Sequence, residues 1–66
     1  MNKPGDIVMI YADPLYLQHP IGQARLKMFL RDVNQLVEEW EVEYLDDEGM
    51  FYNAHIRREE IEGHGT

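Results

Sequence analysis

Apolar and polar positions change rhythm several times along the chain, and each rhythm predicts an element. After Lys3-Pro4-Gly5, the run from Asp6 to Ala12 is rich in β-branched and aromatic residues, and Asp13-Pro14 closes it. That composition predicts a strand buried on most of both faces. Next comes DPLYLQHPIG, in which Pro14 and Pro20 each push the preceding residue out of helical space. It predicts a long ordered loop, held down by Leu15, Tyr16 and Leu17.

Residues 22 to 45 satisfy two templates at once. Leu26, Phe29, Leu30, Val33, Leu36, Val37 and Trp40 fit a helical stripe, and many of the intervening residues are good helix formers. Yet Ala24, Leu26, Met28 and Leu30 alternate with Gln23, Arg25 and Lys27 until Phe29 breaks the pattern. Trp40, Val42 and Tyr44 alternate with Glu41 and Glu43. Between these ends stand Asp32 and Asn34, both turn formers. The preferred reading is strand, connecting loop and strand; a single helix is the alternative.

In LDDEGMF, Gly49 sits where a hairpin needs a residue at positive φ. Met50, Tyr52, Ala54 and Ile56 then alternate with Phe51, Asn53 and His55, which predicts the partner strand. RREEIE predicts one helical turn that carries Ile61 back to the core, and residues 62–66 read as a flexible tail.

Composition narrows the functional classes. A chain of 66 residues supports one thin core, because a domain this small buries only about 60% of its unfolded surface. It contains no cysteine, so neither disulfides nor thiolate metal sites enter. MNKPGDIV lacks the apolar run of a secretory leader, and no segment has the length of a membrane span. The expected location is the cytoplasm, with no membrane partner.

Thirteen acids against six bases give a formal charge of -7, which repels phosphate backbones and disfavours direct nucleic-acid binding. Only Arg25, Lys27 and Arg31 suggest a basic stripe. His19, His55 and His64 are too widely spaced for a local metal motif. With no serine and only Thr66 as threonine, no activated nucleophile can be named. The expectation is a non-enzymatic protein that needs no cofactor or metal.

The order of elements and two short motifs carry a resemblance. PGDIVMIY resembles the Gly-Asp-x-Val opening of SH3-like, KOW and Tudor-type domains. WEVEYLDDEGMFYNAHI is similar in layout to the Trp strand, Gly turn and final strands of SH3 domains, and IYADPL, IGQARL and EEWEVEYL resemble short proteins of phage and prophage type. The resemblance covers residues 4–61. It implies a mainly β, SH3-like small barrel of about five strands with a long first loop and a short helical turn near the C-terminus. Tyr52-Asn53-Ala54-His55 stands where SH3 peptide grooves carry a proline, so binding of proline motifs is not implied.

On that frame the aromatic residues Tyr11, Tyr16, Trp40, Tyr44 and Tyr52 are candidates for a recognition face, with Trp40 placed either in the groove or in the core. If Trp40, Val42 and Tyr44 point inward, Glu39, Glu41 and Glu43 line the outer face and Asp46, Asp47 and Glu48 cap the turn. The expected function is a protein-interaction module whose partner-binding residues are Tyr11, Tyr16, Trp40, Tyr52, Glu41, Glu43, Asp46, Asp47 and Glu48, with a basic partner suiting the charge. Two other readings fit the composition: an acidic nucleic-acid mimic that inhibits a host or defence protein, and a self-associating structural subunit.

Overall fold

The computed structural model describes residues 2–58. They form a single antiparallel sheet of four strands in meander order: β1 (Ile7–Asp13), β2 (Gln18–Asp32), β3 (Val37–Tyr44) and β4 (Phe51–Arg57). No helix occurs among the described residues, so the chain between residues 22 and 45 is strand, turn and strand. The turn is made by Asn34, whose Oδ1 accepts the backbone N–H groups of Leu36 and Val37 at 2.7 and 2.9 Å. This local bond gives the backbone an alternative to helix. The helical turn expected around Ile61 and the tail at 62–66 lie outside the described residues.

β2 organises the molecule. Its first part pairs with β1 (Asp13 opposite Gln18, Ile7 opposite Arg25) and its second part with β3 (Ala24 opposite Tyr44, Asp32 opposite Glu38), so that Ala24 and Arg25 pair on both sides. Two irregularities bend the second part, one between Leu26 and Met28 and one between Phe29 and Arg31. Each inserts an extra residue, which sharpens the twist. One face of the curled sheet carries the core: Ile10, Ala24, Leu26, Trp40, Val42, Ala54 and Ile56, with Val8 and Tyr44 packed against it.

Residues of β1 and β4 come within 8 Å Cα to Cα, and Asn2 Nδ2 donates to the Arg57 carbonyl across the seam at 3.2 Å. The ladder nevertheless runs only from β1 to β4, and these two edges do not pair, so the sheet is not closed into a barrel.

The long loop expected over residues 13–22 is corrected to a short one. Residues 14–17 connect the strands, and Gln18 to Gly22 already belong to β2. Pro20 is tolerated there because β2 has a neighbour on one side only at that point, so the missing N–H leaves no ladder bond unmade.

Candidate functional site

The first hairpin stores backbone strain. Leu17 (φ 54°) and His19 (φ 61°) both occupy the left-handed region, although neither is glycine. This conformation costs roughly 1–2 kcal/mol per residue, and persists where surrounding structure fixes it, commonly at recognition sites. Asp13 helps fix it, since its Oδ1 accepts the Tyr16 N–H at 3.4 Å. The result is a stiff arch that presents apolar side chains to solvent: Tyr16 is 74% exposed, Ile21 61% and Leu17 41%.

The arch leans over the β1–β4 seam. Beneath it, Val8, Tyr11, Pro14 and Leu17 face His55 and Ile56 across a groove of about 170 Å³. Next to that groove, Leu15 and Tyr16 meet Leu36 and Arg57 around a second hollow of about 120 Å³. Tyr11 and Tyr16 are therefore brought to one surface.

Trp40 is not on it. With 3% of its surface exposed, Trp40 is a core residue, meeting Phe29 edge to face at 5.7 Å, and it reaches no partner directly. Tyr52 lies elsewhere again. It is 40% exposed, stands edge to face with Tyr44 at 5.4 Å, and donates its hydroxyl to Asp47 Oδ2 at 2.5 Å. Both tyrosine hydroxyls are pushed above their ordinary pKa, Tyr52 chiefly by that bond to Asp47 and Tyr44 by burial. These rings stay neutral through physiological pH.

The acidic run separates into two groups. Trp40 and Val42 point into the core, so Glu39, Glu41 and Glu43 take the opposite face, as the alternation predicts. There the basic residues of β2 meet them: Arg31 bonds Glu39 at 2.6 Å, and Arg25 and Lys27 approach Glu43 at 3.8 and 3.7 Å. Glu41, opposite Met28 and Asn53, forms no ion pair among the described residues.

Glu43 also accepts the Gly49 N–H at 2.7 Å, which clamps the β3–β4 turn. Gly49 has φ 85°, the positive value the turn requires. Asp46, Asp47 and Glu48 are exposed on this turn, with no lysine or arginine paired to them among the described residues.

A pH prediction follows from Glu43. The Gly49 N–H is the largest cause of its lowered pKa, and the charges of Lys27 and Arg25 add to it. Because the folded value lies below the ordinary 4.5, the contribution is fully present above that value and is lost as pH falls through the folded one. In a carbon-detected NMR titration, the Glu43 carboxyl is expected to titrate below 4.5, with the Gly49 amide shifting in step. Lys27→Met should move the midpoint only part of the way back, because the amide remains.

Sequence reasoning missed Leu36 and Ile21 as surface-forming residues. Leu36 read as part of a helical stripe and Ile21 as part of a loop. No family model matches the chain, and neither a curated protein nor a solved structure matches it.

Proposed function

We propose that the chain is a non-enzymatic protein-interaction module that docks a protein partner on the arch of the first hairpin, with the acidic β3–β4 turn beside it. The observation that carries this reading is the strained hairpin itself, which holds Tyr16, 74% exposed, over the apolar grooves beneath it. Strain kept at a solvent-facing apolar tip does nothing for the core, whereas a preformed aromatic anchor lowers the ordering cost of binding. The curled meander, with its first hairpin folded toward the end of β4, supports treating the sheet as an opened SH3-like barrel.

Docking through side chains fits this surface better than insertion of an added strand. A strand placed between two others needs them roughly 9.5 Å apart, twice the ladder spacing, yet β1 and β4 approach within 8 Å. The grooves match the size of single apolar side chains.

A nucleic-acid mimic has less support, because mimicry needs a continuous row of uncompensated carboxylates. Here Glu39 and Glu43 face Arg31, Arg25 and Lys27.

Tyr16→Ala tests the proposal. The variant should unfold within about 0.5 kcal/mol of the parent, since exposed positions carry little stability. It should lose a partner that the parent chain captures from host lysate and retains in a moderate-salt wash. A partner kept by Tyr16→Ala but released by salt would instead favour the acidic mimic. A concentration-dependent increase in sedimentation mass, with no other protein captured, would favour self-association.

A further inference from the structure

On the side of the molecule where the first hairpin meets the β3–β4 turn, Ile21 and Gly22 face Tyr44, Tyr52, Asp46 and Asp47 across an open groove of about 320 Å³. We infer that this groove receives an arginine side chain of the partner protein, with the guanidinium against the tyrosine rings and its N–H groups on the Asp46 and Asp47 carboxylates. The inference rests on the interaction-module reading above and names the chemistry of its partner.

Charge complementarity identifies the occupant. No base lines the groove. Arg25 and Lys27 are held on the opposite face of the sheet by Glu43, so the turn carboxylates face the groove without a cation among the described residues. The rings supply the other half of the site. A cation is attracted to the negative face of an aromatic ring, and arginine combines that stacking with planar two-point bonding to carboxylates. Lysine offers a compact, strongly hydrated charge that uses only part of such a surface.

Two features hold the site ready. The Tyr52 hydroxyl on Asp47, at 2.5 Å, fixes ring and carboxylate relative to each other. The edge-to-face contact of Tyr52 with Tyr44, at 5.4 Å, orients the second ring. Ile21, 61% exposed, gives the arginine stem an apolar wall.

The test is an NMR titration of the whole chain at moderate salt with a hexa-arginine peptide, repeated with hexa-lysine. Saturable shifts should centre on Ile21, Tyr44 and Tyr52, with hexa-arginine binding more tightly. Asp46→Asn should weaken hexa-arginine roughly three- to fivefold, on the scale of one exposed cation–aromatic or carboxylate contact. Glu39→Gln removes the same charge from the opposite face, where Arg31 bonds it, and should leave the affinity nearly unchanged. Equal weakening by both variants, or shifts spread over all the acids, would overturn the site, because the peptide would then be reading only the net charge.

The experiment also separates this site from the hairpin reading. If Tyr16→Ala abolishes partner capture while hexa-arginine leaves Ile21 and Tyr52 unmoved, the module stands and the arginine assignment fails. If the peptide binds as described while Tyr16→Ala keeps its partner, the groove stands and the hairpin reading fails.

Discussion

Trp40→Ala is expected to cost about 3–5 kcal/mol, the usual loss for a large aromatic removed from a packed core. Domains of this kind have only about 5–15 kcal/mol in total, and a chain of 66 residues belongs near the low end. Most of the population should therefore unfold on modest warming. Trp40 lies between its ladder partners Phe29 and Ala54, 3% exposed among Leu26, Val42 and Ile56. Alanine at the facing position 54 cannot expand into the vacated space. Trp40→Phe keeps most of the volume but loses the indole N–H bond to Glu38 Oε1, 2.9 Å long, and should fall between the parent and Trp40→Ala. Urea unfolding followed by far-ultraviolet circular dichroism reads all three chains, including the two variants without tryptophan. A midpoint for Trp40→Ala equal to that of the parent would show that the ring is not part of the core. The same result decides how binding data are interpreted: a Trp40 variant loses a partner by unfolding, so Tyr16, not Trp40, is the informative position.

The central ambiguity of the sequence has a structural cause. Two bulges three residues apart in β2 put Leu26, Phe29 and Asp32 on one side of the sheet, opposite Val42, Trp40 and Glu38, although only Leu26 of the three is buried. Same-side residues at an interval of three look like one face of a helix, whereas an unbroken strand would show an interval of two. The alternation of Trp40, Val42 and Tyr44 was legible because β3 pairs with β4 without a register shift, and so was the turn at Gly49, because its backbone requires positive φ. The first hairpin was not. Prolines read as breakers, and only the knowledge that β2 is unpaired on one side at Pro20 makes that residue compatible with a strand. Leu17 in left-handed conformation has no sequence signal, and His19 only a weak one, since histidine visits that region more often than most residues but is not confined to it. The pairing of Arg25, Lys27 and Arg31 with the outward glutamates was equally hidden. Both stripes were visible, but their register depends on those same bulges.

Arg58→Met is expected to cost about 2–3 kcal/mol, although Arg58 stands at the margin of the sheet. The reason is Glu38, a carboxylate on the core side of β3 with 7% of the residue exposed. Its oxygens accept from Trp40 Nε1 at 2.9 Å, Asn2 Nδ2 at 3.2 Å and Arg58 Nη1 at 2.9 Å. Arg58 is the cation of that set, and it also reaches Asp32 at 2.6 Å and the carbonyls of Gln35 and Asn34 at 3.2 and 3.3 Å. It thus joins the end of β4 to the β2–β3 turn. Removing one partner of a buried pair leaves a charge with poor solvation, which costs about 3–5 kcal/mol when both are fully buried. Arg58 is 23% exposed along its side chain, so water recovers part of that loss. Glu38→Gln should be milder, because the amide oxygen still accepts from Trp40 and Asn2. The double variant Glu38→Gln, Arg58→Met should lose less than the two single losses added together, since the arginine is no longer needed to balance a charge. Additive losses would show that Arg58 acts only on the turn through Asp32, Asn34 and Gln35. A loss below about 0.5 kcal/mol for Arg58→Met would place the pair with ordinary surface ion pairs, and Glu38 would then be held by Trp40 and Asn2 alone.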